Sequence, residues 1–171
     1  MKHLLFPNAY YDSTFDIDYK ALKNRGYLGL LFDIDNTLTI HNVKAEKKET
    51  RFFDYLHRLG FRTVVMSNNS KDRVEPFAKL LGTSYISRAQ KPLSWGYRKA
   101  MDMIETNADN TIFIGDQLYT DIMGANIAGL KSILVRPISS HEASWIKLKR
   151  IIEKPVISLY EMSHKKNYIN F

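Results

Sequence analysis

Apolar runs recur along this chain, and between them the apolar positions fall at every third or fourth residue. The runs are Tyr27–Asp33, Phe61–Ser67, Ser84–Ser87, Thr111–Asp116 and Lys131–Arg136. Runs that lack polar alternation read as strands covered on both faces, which is the habit of a parallel sheet. The stretches between them read as helices. Lys44–Leu59 carries Phe52, Phe53, Leu56 and Leu59, and Asp72–Leu81 carries Phe77, Leu80 and Leu81 with Gly82 as a stop. Pro92–Glu105 opens on a first-turn proline, and Leu118–Ala128 ends near Gly129. Strands alternating with helices give βαβ units. The pattern therefore predicts an α/β fold, a Rossmann-like three-layer sandwich around a mainly parallel five-stranded sheet.

Both ends depart from this rhythm. Residues 1–26 form a polar, aromatic-rich entry segment, where Asp16 or Asp18 can cap a short helix running through Lys23. At the other end Ser139-x-x-Glu142 reads as a capping box, followed by Trp145, Leu148, Ile151 and Ile152 at helical spacing. The expected organisation is one domain over residues 1–171, with a core at 27–136 and a basic segment at 137–171. A chain of 171 residues suits that reading.

Composition narrows the chemistry. There are no cysteines, which excludes disulfides, thiolate metal sites and cysteine nucleophiles and is compatible with a reducing cytosol. The run Leu4-Leu5-Phe6 is too short for a signal peptide, and no stretch approaches the roughly 18 apolar residues of a membrane span. A cytoplasmic protein is expected, at most peripheral on the inner face of a membrane. The net charge of +7 favours anionic partners such as phosphorylated metabolites, anionic lipid or nucleic acid. Residues 145–171 hold six Lys or Arg against two Glu, so much of the excess lies in the tail. The five histidines show no metal-ligand spacing and read as surface or packing residues.

Polar residues gather where the strands end. The first run ends in Asp33-Ile34-Asp35-Asn36-Thr37, the second in Ser67-Asn68-Asn69. Lys91-Pro92 comes after the third, and the fourth leads into Gly115-Asp116-Gln117-Leu118-Tyr119-Thr120-Asp121. In a parallel sheet all four groups lie on the carboxyl rim, where open α/β sheets place their chemistry. Two carboxylates at i and i+2 repel unless a cation or shared proton intervenes, which suggests a hard metal ion, a nucleophilic acid and a proton carrier.

The four groups, in order, resemble the motifs of the haloacid dehalogenase (HAD) superfamily of phosphotransferases. That resemblance implies a Mg²⁺-dependent phosphatase working through an aspartyl phosphate. It makes Asp33 the nucleophile, Asp35 the acid and base, and Lys91 the charge-neutralising catalytic lysine. It has Ser67 and Asn68 hold phosphoryl oxygens, with Thr37 fixing the loop beside them. The cation would fall to Asp33, the Asp35 carbonyl and Asp116, with Asp121 acting one step out or orienting Lys91. Only about 30 residues separate Thr37 from Ser67, and 23 separate Asn68 from Lys91, too few for a cap domain in either gap.

The chain is similar, more closely, to the capless YqeG-type HAD family, related to the mitochondrial phosphatidylglycerophosphatases. The likeness includes Phe15-Asp16-Ile17-Asp18, Arg73-Val74-x-Pro76-Phe77 and Gln90-Lys91-Pro92 as well as the four motifs. It implies dephosphorylation of phosphatidylglycerophosphate to phosphatidylglycerol, and it allows contact of the basic tail with an anionic membrane. Three other readings stay open. One is a phosphatase of a soluble metabolite, closed by oligomerisation. Another is a non-catalytic anion- or nucleic-acid-binding protein, motivated by the charge although no reading motif stands out. The third is a phospho-acceptor domain, which Asp35 disfavours because a built-in acid and base suits turnover.

Overall fold

The computed structural model describes residues 4–41, 43–139 and 144–163, the last without the side chains of 144–151 and 163. All five expected strands form: β2 (Gly29–Phe32), β3 (Arg62–Met66), β4 (Ser84–Ile86), β5 (Thr111–Gly115) and β6 (Lys131–Val135). The sheet has a sixth strand, β1 (Ala9–Tyr11), drawn from the entry segment. The order is β1-β6-β5-β2-β3-β4, and every pairing is parallel. The architecture is thus the α/β layering expected, with one strand more. β2 and β5 lie in the middle, so Asp33 and Asp116 emerge side by side just past Phe32 and Gly115.

Helices α1 (Tyr19–Asn24), α2 (Lys47–Arg58), α3 (Lys71–Leu81), α4 (Ser94–Met103), α5 (Met123–Ile127) and α6 (Ser144–Ser163) cover the sheet and its edges. Asp18 caps α1 through the Ala21 amide, and Gly82 ends α3 in the left-handed region at φ 62°. Glu46 and Glu49 form a reciprocal capping box on α2. The capping box expected at Ser139–Glu142 reaches outside the described residues. The helix expected at Leu118–Ala128 opens instead as a π turn, Leu118–Ile122.

Two apolar layers sandwich the sheet. One joins α2 and α3 to the entry segment: Phe52 meets Phe15, Tyr19, Phe32 and Phe53 with ring centroids 5.0–6.0 Å apart. The other packs Tyr97, Ala100 and Met101 of α4 on Leu31, Val64 and Phe113. A third, smaller cluster seats Tyr160 of α6 against Tyr10, Leu118, Ile122 and Leu134. α2 with β3 fills the span after the first motif, and α3 with β4 fills the next, so among the described residues no cap stands over the carboxyl rim. Among the described residues no helix is long and apolar enough to cross a membrane.

Candidate active site

Asp33, Asp116 and Asp121 are all buried, and each offers a carboxylate oxygen within 4.8 Å of the others. Local geometry explains how residues far apart in sequence meet. Asp33 continues β2, its amide still bonded to the Ile114 carbonyl. Asp116 comes directly after β5. Asp121 returns beneath it because the π turn closes the Ile122 amide onto the Gln117 carbonyl, five residues back. Gly115 permits the approach: a Cβ there would lie 2.6 Å from the Asp121 side chain.

Lys91 enters from the β4–α4 loop. Its Nζ donates to Asp33 Oδ1 at 2.5 Å and to Asp121 Oδ1 at 2.7 Å. The loop is held from below by Asn68, whose side chain accepts from the Lys91 amide (2.8 Å) and donates to its carbonyl (3.1 Å). Arg88 and Gln90, just before Lys91 in this loop, have φ of 47° and 54°. Side-chain-bearing residues rarely hold that conformation, and such strain clusters at functional sites.

Thr37 donates to Asp116 Oδ1 at 3.0 Å and is almost wholly buried. Its carbonyl accepts from Thr14, and the Thr14 carbonyl accepts from Tyr19. The entry segment is therefore a buttress for Asp116. Ser67 lies just past β3 and accepts from the Asn69 amide.

Asp35 stands apart from the acidic cluster. Asn69 Nδ2 donates to its Oδ2 at 2.7 Å, Arg73 donates to its Oδ1 at 2.9 Å, and His41 Nδ1 lies 3.6 Å away. In the sequence, Asn69 belongs to the polar group that ends the second run, Arg73 stands out only through the family likeness, and His41 reads as a surface or packing residue. The i+2 and i+6 spacing of Asn69 and Arg73 from Ser67 gives no hint that they face Asp35. Glu153 of α6 carries no sequence signal either. It is buried and accepts from the Leu118 amide at 2.8 Å, which pins the start of the π turn.

Electrostatics mark the site. Burial pushes the Asp33 carboxyl well above the ordinary carboxylate range; Lys91 pulls it down, but Asp121 and Asp116 add to the rise. Burial alone would lower Lys91, yet Asp121 and Asp33 outweigh it and hold the amine firmly protonated. Tyr97, which donates to the Thr120 and Asp121 carbonyls, is pushed up by burial.

With all three carboxylates ionised, three negative charges share a buried space with the one Lys91 ammonium found between them among the described residues. Burying unpaired charge costs several kcal/mol, so the cluster favours a bound cation. An all-oxygen donor set is the chemistry of a hard divalent ion such as Mg²⁺. The residues present fit one.

The model of the haloacid dehalogenase-like hydrolases matches residues 46–129. The "Probable phosphatase YqeG" of Bacillus subtilis is 30% identical over 159 residues, 92% of each chain. The "Phosphatidylglycerophosphate phosphatase 1, chloroplastic" of Chlamydomonas reinhardtii is 29% identical over 81% of this chain and 55% of its own length. A putative HAD superfamily (subfamily III A) hydrolase from Legionella pneumophila superposes with a TM-score of 0.51, covering 68% of this chain and 72% of that one. At 16% identity that likeness speaks to the fold alone.

Proposed function

We propose that this chain, which belongs to the haloacid dehalogenase-like hydrolases, uses Asp33 as a nucleophile to hydrolyse the phosphomonoester of an anionic lipid. The chain is a HAD-type phosphatase with a buried acidic site; the residue roles and the lipid are our reading. The observation that carries the roles is the Asp33–Lys91–Asp121 contact beside Asp116.

Lys91 occupies one oxygen of Asp33, which leaves Oδ2 as the attacking atom. As Asp33 Oδ2 bonds to phosphorus, the phosphorus–ester oxygen bond breaks. Asp35, having first taken up a proton from solvent, passes it to the departing oxygen. Asp35, now a carboxylate, takes a proton from water as the water oxygen bonds to phosphorus. The Asp33–phosphorus bond then breaks and inorganic phosphate leaves. To do this Asp35 turns from Arg73 and Asn69 toward the leaving oxygen. Ser67 and the rim amides beside it receive phosphoryl oxygens, while Asn68 and Thr37 hold Lys91 and Asp116 in place.

A divalent cation, held by Asp33, Asp116 and the Asp35 carbonyl, would supply charge neutralisation to the phosphoryl group. Acid–base catalysis contributes about 10²–10⁴-fold, far below the up to ~10²¹ that phosphomonoester hydrolysis can demand. Positioning and charge neutralisation must therefore provide most of the acceleration.

Two features support a lipid substrate. The Chlamydomonas relative is named for phosphatidylglycerophosphate, and the uncapped rim leaves room for a headgroup still anchored in a bilayer. The test is phosphate release with Mg²⁺ from phosphatidylglycerophosphate in mixed micelles and from a panel of soluble phosphomonoesters, with Asp33→Asn as control. Brisk turnover of a soluble ester beside an inert lipid rejects the lipid and favours a metabolite phosphatase.

A further inference from the structure

We propose that the rim around Asp33 is itself the surface by which this protein lies on an anionic bilayer. Three of the segments that reach this rim carry the proposed surface, each tied to the site. The segment after β2 is closed by the Asp35–Thr39 bridge. The segment after β4 carries Lys91. The segment after β6 is held by the Ile138 amide on the Asn36 carbonyl, 3.1 Å. Each segment turns bulky apolar side chains outward: Ile40 and Val43 on the first, Leu93 and Trp95 on the second, Ile138 on the third. Leu93 is 60% exposed and Trp95 51%, although both flank the most buried part of the site. Packing does not call for them there.

Charge indicates the occupant. Residues 40–48, 86–99 and 136–139 present seven exposed Lys or Arg, among them Lys44, Arg88 and Lys99, against the exposed acid Glu46, with Arg136 alone of the seven paired to Asp12, the residue that follows β1. The Lys99 ammonium lies 5.1 Å from the Trp95 ring centre, so cation and indole form one unit. Apolar tips interleaved with cations suit the headgroup–acyl boundary, where tryptophan settles and anionic lipid attracts Lys and Arg. A second copy of this chain on the same face would set these cations against each other, which disfavours a two-fold dimer there. On a bilayer, the rim would bring Asp33 to headgroup level and spare the substrate from leaving the membrane. This last step rests on the lipid reading; the docking surface does not.

The experiment is vesicle flotation without divalent metal, so that no turnover occurs, using phosphatidylcholine with about one-third phosphatidylglycerol. A Trp145→Phe background leaves Trp95 as the fluorescent reporter. The expected result is binding to anionic vesicles, a blue shift of Trp95, and weakening at about 0.5 M salt. Leu93→Ser with Trp95→Ser, and separately Lys44→Glu with Arg88→Glu, should each lower partitioning roughly tenfold or more. Hydrolysis of soluble p-nitrophenyl phosphate by the Leu93/Trp95 variant should match the parent, showing that the site is intact. Equal partitioning of parent and rim variants overturns the proposal, as does equal binding to pure phosphatidylcholine. So does concentration-dependent dimerisation that these substitutions abolish without any vesicle binding. Rim-dependent binding with turnover of soluble esters only keeps the docking surface and removes the lipid substrate. Lipid turnover with rim-independent partitioning does the reverse.

Discussion

Replacing Lys91 by methionine removes the ammonium that touches Asp33 and Asp121 and keeps most of the side chain's length and volume. The carboxylates stay buried, and one more negative charge goes uncompensated. Removing one partner of a buried ion pair costs about 3–5 kcal/mol. In a chain of this size 1 kcal/mol corresponds to roughly 2–4 °C, which would give a fall in Tm of about 6–20 °C. Asp33, already pushed up by burial, can take a proton and absorb part of that cost, so the lower half of the range is expected without metal. Mg²⁺ should act in the opposite direction. A site with one cation fewer attracts a divalent ion at least as strongly, so Mg²⁺ should raise the Tm of Lys91→Met by more than that of the parent. Turnover should still fall, by about 10²–10³-fold, because a donor aimed at developing negative charge is gone. Thermal melts with EDTA and with Mg²⁺, alongside p-nitrophenyl phosphate kinetics, measure all three. A Tm within ~2 °C of the parent without metal, together with unchanged turnover, would refute the electrostatic role given to Lys91.

Metal binding should be linked to pH through Asp33. Its carboxyl is raised in the folded state, so the native protein keeps a proton that the unfolded chain releases. The Asp33 contribution to metal-free stability therefore falls as pH rises above the ordinary carboxylate range. A cation displaces that proton, so Mg²⁺ should flatten the fall, and its affinity should rise with pH by up to about tenfold per unit. Titration calorimetry in buffers of different ionisation enthalpy reads the proton release, and none released would contradict the linkage. Asp33→Asn should abolish phosphate release while circular dichroism stays native, and residual turnover at the parental rate would rule out Asp33 as nucleophile. Asp35→Asn should slow release by about 10²–10⁴-fold and leave a trappable phosphoryl group on Asp33, visible by mass spectrometry. Glu153→Ala strands the buried Leu118 amide at a cost of about 1–3 kcal/mol, and Glu153→Gln should recover much of it in a denaturant melt.

How much of the fold and site is legible in the sequence depends on the range of the forces involved. Strands β2 to β6 are readable because a fully covered strand must be apolar on both faces, and that leaves a mark in consecutive residues. β1 leaves no such mark. It has three residues, Ala9–Tyr11, and owes its place to pairing with β6 and to α6 packing over Tyr10. The π turn is invisible for a related reason. Leu118–Ala128 has a helical apolar pattern, and the shift in bonding serves Asp121, which must reach back to Lys91 and to the Gln117 amide.

The acids and the lysine are tied to strand ends, so chain order locates them. Their supports are tied to nothing local. Asn68 grips the backbone of Lys91 across 23 residues, Thr37 reaches Asp116 across 79, and Glu153 holds Leu118 across 35. No periodicity connects such pairs, since the contact is made by the sheet bringing loops together. Asp35 carries the mechanistic consequence. Its spacing from Asp33 suggests two carboxylates converging on one ion, yet its own carboxylate lies on Arg73 and Asn69, outside the cluster of Asp33, Asp116 and Asp121. That separation suits the two jobs. At the rim Arg73 and Asn69 hold the Asp35 carboxylate away from that cluster, and it meets a leaving oxygen only by letting go of them. The division between a charge-dense floor and a movable acid above it is set by where β2 ends: Asp33 still bonds to β5, whereas Asp35 has already left the sheet.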